Sequence, residues 1–130
     1  MILLLVACGG HHTPPPKQPP PAQPDPKGLA RLVDEDMTQL GEIAHRLRGR
    51  CAELVAELRP HVTRMQQHHT ETEKMLQSER YKDFKAEVAG YAQRAGTRSD
   101  QIAKDLGDTY LGCTDDRYQL ERVIADIPTY

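Results

Sequence analysis

Val33-Asp34-Glu35-Asp36-Met37-Thr38-Gln39-Leu40-Gly41-Glu42-Ile43-Ala44-His45-Arg46-Leu47-Arg48-Gly49-Arg50-Cys51-Ala52-Glu53-Leu54-Val55-Ala56-Glu57-Leu58 is the stretch that decides the fold. Val33, Met37, Leu40, Ala44, Leu47, Cys51, Leu54 and Leu58 recur at steps of three and four, which lays one apolar stripe along a helix. Asp34, Glu35 and Asp36 stand near its start and Arg46, Arg48, Arg50 and Arg59 towards its end, an order that complements a helix dipole. Arg59-Pro60 is the predicted stop, because a residue before proline is pushed out of the α region.

Downstream the helical period continues. A second helix is predicted over about 60–95, with Val62, Met65, His69, Thr72, Leu76, Phe84, Val88, Tyr91 and Ala95 on a more polar stripe. Gln77–Arg80 contains no apolar residue, so a kink is expected there. Gly96-Thr97-Arg98-Ser99 supplies a C-cap glycine followed by N-cap hydroxyls. A third helix then carries Ile102, Leu106, Thr109, Cys113, Leu120, Ile124 and Ile127, and ends before Pro128. Short connections make successive helices antiparallel neighbours. The expected fold is therefore an all-α, up-down-up three-helix bundle over residues 28–127, with 128–130 as a tail. A break near Gly49 or Gln77–Arg80 gives the alternative, a four-helix bundle.

Composition agrees with helices. With one Phe and no Trp, the core must come from Leu, Ile, Val, Ala and Met, and no run alternates with period two over strand length. The 17 basic and 19 acidic residues leave no cationic surplus to displace counterions from phosphates, which excludes nucleic acid as a partner.

The chain opens Met1-Ile2-Leu3-Leu4-Leu5-Val6-Ala7-Cys8-Gly9-Gly10. A short apolar run ending in small residues is the cleavage-site half of an export signal. Leu5-Val6-Ala7-Cys8 resembles a bacterial lipobox. That resemblance implies lipid attachment at Cys8, a signal segment over 1–8 and a place in the cell envelope, but no activity. No Lys or Arg precedes the run, and Ile2–Val6 is shorter than the usual apolar region of about 7–15 residues. A true start upstream of Met1 accounts for both. From 9 to 27 follows a linker in which eight prolines crowd Thr13–Lys27. Proline fixes φ and lacks an N–H, so a disordered, polyproline II tether reaching roughly 60 Å is expected, lifting a domain clear of a membrane. Pro16-Lys17-Gln18-Pro19 satisfies PxxP, a match that arises almost automatically in so proline-dense a run.

Setting Cys8 aside leaves Cys51 and Cys113, both on apolar stripes. An even pair in an exported protein reads as a disulfide. Three straight, flush helices would instead place the two about 16 Å apart in height, which a bridge cannot span. A kinked second helix or a sheared third would close that gap. The other reading is two small apolar side chains filling a seam.

His61, Met65 and His69 occupy one helical face at i, i+4 and i+8, a soft ligand set of the kind that holds copper or a similar metal. Three residues spread over two turns cannot all reach one ion, and the third helix offers no His or Met. The expectation is no metal site, with Met65 in the core and the histidines at its edge. Glu42-Ile43-Ala44-His45 matches the Glu-x-x-His unit of di-iron bundles, but no second unit exists and the pair is expected on an exposed face. C-x-x-C-H, a Walker loop, a nucleophile elbow and H-E-x-x-H are all missing from the sequence. Neither a cofactor nor catalysis is expected.

The sequence thus reads as a lipid-anchored, periplasmic helical bundle that meets the membrane through its anchor and acts by contact with an envelope protein or as a structural element. Its oligomeric state is not encoded in any motif. The competing readings are a periplasmic transition-metal-binding bundle built on His61, Met65 and His69, and a cytosolic helical adaptor in which the tetrapeptide is a coincidence.

Overall fold

The computed structural model describes residues 25–129; the lipobox-like segment, Cys8, the PxxP motif and nearly all of the proline-rich linker lie outside them. Among the described residues the chain is all-helical. Five helices follow in order: α1 (Pro26–Arg46), α2 (Cys51–Leu76), α3 (Tyr81–Ala89), α4 (Ala92–Gly112) and α5 (Arg117–Ala125). The expected count of three is corrected to five.

Asp25 caps α1 by accepting a hydrogen bond from the Gly28 amide, and Pro26 occupies the first turn, where its missing N–H costs nothing. The continuous stripe over 33–58 is interrupted at Gly49, whose φ of +79° is a left-handed conformation that glycine adopts without a Cβ penalty. The second helix therefore begins at Cys51, not at Pro60. Pro60 lies inside α2. Burial of Leu54, Leu58, His61, Val62 and Met65 on one face holds the helix through it, against a proline cost of about 3 kcal/mol.

Gln77–Arg80 forms the turn between α2 and α3, where the Ser78 hydroxyl donates to the Met75 carbonyl at 2.7 Å. The turn expected at Gly96–Ser99 is absent: α4 runs straight through it, and the break falls at Gly90-Tyr91. A last break at 113–116 separates α4 from α5 and changes the phase of the stripe, so Val123 joins Leu120 in the core.

Helix α1 is the centre of the assembly, packed against α2, α3 and α4. Contacts 36–68 and 46–57 make α1 and α2 antiparallel. Contacts 34–98, 45–105 and 49–109 show that α4 runs in the same sense as α1. Contacts 59–119 and 66–126 align α5 with α2. The main core joins Leu40, Ala44, Leu47, Leu54, Leu58, Met65, Ile102, Leu106 and Leu120. A smaller cluster of Leu29, Ala30, Met75 and Phe84 seats α3 on the first half of α1. No described helix is long and apolar enough to cross a membrane.

Candidate functional site

The break at Gly49 decides what gathers at one end of the bundle. It makes Cys51 the first residue of α2, while Cys113 caps the end of α4. Their Cα atoms lie 5.6 Å apart and their sulfurs meet at disulfide distance. The height mismatch expected from straight helices vanishes because both cysteines sit at helix ends.

Beside them, the Gly49 amide donates to Thr109 Oγ1 at 2.9 Å, and that hydroxyl donates to the Asp105 carbonyl at 3.1 Å. The Asp105 carboxylate is buried. Its Oδ1 accepts from Gln101 Nε2 and its Oδ2 from His45 Nδ1, each at 3.1 Å, with Arg48 at 3.7 Å. The His45 side chain itself is 68% exposed. Glu42 and His45 thus do share an exposed face as expected, but the imidazole is held by a carboxylate reaching from the core.

A second buried carboxylate, Asp36, accepts from His68 Nδ1 at 2.6 Å. Asp34 takes both nitrogens of Arg98 at 3.1 Å. Asp36 and Asp34 therefore bridge α1 to α2 and α4, while Glu35 pairs with Arg31 within α1; none of the three lies in the first turn, so the acidic half of the dipole reading gives way to pairing, whereas Arg46 does lie in the last turn of α1. The basic residues around the α1–α2 turn, Arg46, Arg50 and Arg48, pair with Glu57, Glu53 and Asp105. In the exposed Arg46–Glu57 pair, the hydrogen bond and opposite charge hold the Glu57 carboxyl below its ordinary range and raise the guanidinium.

The three metal candidates are placed differently from one another. His61 is buried, with Nε2 at 2.9 Å from the Asp36 carbonyl, so that nitrogen carries the proton. Nδ1 then accepts from Arg64 at 3.1 Å. Met65 is fully buried, and His69 Nε2 lies 3.5 Å from Glu73 on its own helix. His61 could ligate an ion through Nδ1 only by giving up its hydrogen bond from Arg64, and its side chain is buried. Among the described residues no group of three or more His, Cys, Asp or Glu is arranged to hold a metal.

The seam between α1 and α4 has two sides. One is polar and contains Glu42, His45, Arg46, Arg98 and Gln101. Its three arginines are already paired, Arg46 with Glu57 and both Arg94 and Arg98 with Asp34. The other side is an apolar trough in two lobes. A lobe of about 700 Å³ lies between α1, α3 and α4, over Val33, Met37, Val88 and Ala95. A lobe of about 560 Å³ lies between α1, α4 and α5, over Leu40, Ile102, Leu106 and Ile124. Both include Met37, Ser99, Pro128 and Thr129, so they join at a waist formed by the end of the chain. The trough exists because α3 and α5, of nine residues each, flank a 21-residue α4 without covering it.

Compared with protein-family models, curated proteins and solved structures, the chain matches none of them.

Sequence reasoning missed Asp36, His61 and Asp105 as buried polar residues. The only local signal is their phase: Asp105 stands three residues after Ile102 and His61 three after Leu58, both on apolar faces. The trough was legible only as small residues, Ala92, Ala95, Ser99, Ala103 and Gly107, at helical spacing along one face of α4.

Proposed function

We propose that this protein is a lipid-anchored helical-bundle module on the periplasmic side of a bacterial envelope, binding a partner without catalysing a reaction. Cys8 is its attachment point and the proline-rich segment 9–27 its spacer. The observation that carries the reading is the approach of Cys51 and Cys113 to 5.6 Å between Cα atoms. A bridge there persists in an oxidising compartment and is rare in the cytosol, where thiols are kept reduced. That agrees with the export address implied by Leu5-Val6-Ala7-Cys8.

The binding role follows from how the polar groups are used. Asp34, Asp36 and Asp105 are engaged in holding helices together, which leaves the open apolar trough as the feature the bundle does not need for itself. The anchor is tested by feeding cells a clickable fatty acid and comparing wild type with Cys8→Ser. Label on the wild type alone, in the membrane fraction, is the expected result. Unlabelled wild-type protein in the soluble fraction, with Cys51 and Cys113 as free thiols, would establish the cytosolic adaptor in its place.

A further inference from the structure

We infer that the trough between α1 and α4 is a binding site for a small anionic amphiphile, an aliphatic chain ending in a carboxylate or similar group, with Lys85 as its anion partner. The inference names an occupant for the trough and so rests on the binding role proposed for it, though not on the envelope assignment.

The apolar part of the site is built by α4 presenting small side chains where a packed helix would present large ones. Gly107 is exposed and a Cβ placed on it meets no atom within 4 Å, so the α4 face that borders the second lobe is uncovered. Apolar surface left uncovered contributes nothing to folding, and large side chains at Ala95, Ala103 or Gly107 would fill it. The volumes decide the size of the occupant. Lobes of about 700 and 560 Å³ fall within the roughly 300–1,000 Å³ range of small-molecule sites. A partner helix about 10 Å across, laid along the trough, would have to displace Pro128 and Thr129 at the waist. A chain of methylene groups would not.

Charge decides the head group. Lys85 borders the larger lobe, and among the described residues no carboxylate lies within ion-pair distance of it; its ammonium is 5.8 Å from the centre of the Tyr81 ring. The other cation of that lobe, Arg98, is neutralised by Asp34. An amphiphile with its tail over Val33, Met37 and Ala95 therefore meets one uncompensated positive charge at the rim. In the larger lobe a cationic head would find no free carboxylate, since Asp34 is already engaged by Arg98; Glu121, which borders the smaller lobe with no described cation at ion-pair distance, would repel an anionic head and so directs it to the Lys85 end.

The test is calorimetric titration of the 130-residue chain with dodecanoate below its micelle concentration, with dodecanol as the uncharged analogue. Saturable binding of about one dodecanoate per chain is expected, weakened about tenfold by loss of the charge on either side, in dodecanol or in Lys85→Gln. Ala95→Trp, which fills the larger lobe, should abolish binding, whereas Lys104→Glu, outside the lining of either lobe, should leave it unchanged. Circular dichroism on each variant separates loss of the site from loss of the fold. Absence of saturable dodecanoate binding to a folded wild type would overturn the proposal, as would equal affinity for dodecanol. So would light scattering that gives twice the monomer mass together with no uptake, which would assign the trough to a second copy.

Discussion

The Gly49 amide and the Thr109 hydroxyl, sixty residues apart in sequence, are joined by a 2.9 Å hydrogen bond that docks the α1–α2 turn onto α4. Two chemical requirements meet there: a left-handed backbone at one residue and a hydroxyl that accepts and donates at once at the other. Both can be removed separately. Gly49→Ala forces a Cβ into a left-handed conformation and should destabilise the bundle by about 1–2 kcal/mol. Thr109→Val keeps the shape but leaves the Gly49 N–H without its partner, at about 1–3 kcal/mol. Urea denaturation measures both, and the double variant should cost less than their sum because the two changes share one contact.

Glycines elsewhere should respond in the opposite direction. Gly96 and Gly107 lie inside α4, and an added Cβ at either meets nothing within 4 Å. Alanine at each position should raise stability by about 0.5–1 kcal/mol, read as a higher melting temperature. A drop on Gly107→Ala would show that this face of α4 is covered.

The buried ends of the His–carboxylate pairs should dominate over their exposed partners. Asp36 is buried, and His68 is the side chain that donates to it. His68→Ala strips a buried carboxylate of that donor and should cost about 2 kcal/mol. Replacing the carboxylate as well, in His68→Ala/Asp36→Leu, should recover part of the loss, because no unsatisfied charge remains. Denaturation of the two variants side by side makes the comparison.

The Arg46–Glu57 pair makes a different prediction, in pH. Glu57 has its pKa lowered by the Arg46 hydrogen bond and charge, so the pair supports the fold above the ordinary carboxylate pKa and fades as pH falls through the lowered value. An NMR titration of the Glu57 carboxyl should show a midpoint below the usual range, returning to it in Arg46→Gln. Because both side chains are exposed, overall stability near neutral pH should hardly change and salt should weaken the effect.

Much of this fold was legible in the chain. The spacing of Leu40, Leu47, Leu54 and Leu58 gave the buried faces of α1 and α2, and all four are buried. What failed was punctuation. Pro60 and Gly96 carry strong local stop signals, yet the face of α2 buries enough apolar surface to run through Pro60, and a lone glycine costs a helix only about 1 kcal/mol, so α4 continues through Gly96. Gly49 was weighed only as an alternative break, since a glycine within a helical period is ambiguous until its φ is known. Leu76 was expected inside, but α2 ends there and Met75 takes the core position. The polar interior of Asp36, Asp105 and His61 depends on partners 25 to 60 residues away, which no local pattern encodes.

Joining residues 62 apart, the bridge between Cys51 and Cys113 should stabilise the bundle by about 4 kcal/mol through the entropy it removes from the unfolded chain. Cys51→Ala/Cys113→Ala should therefore unfold at a much lower urea concentration, with the difference disappearing when the wild type is reduced.

Both the corrected helix register and the proposed oxidising compartment rest on those two sulfurs. The decisive measurement is alkylation of the protein in denaturant without reductant, directly after isolation from cells, followed by proteolysis and mass spectrometry. One linked species containing Cys51 and Cys113, lighter by two hydrogens than the separate peptides, is the expected result. Recovery of both cysteines fully alkylated would contradict it.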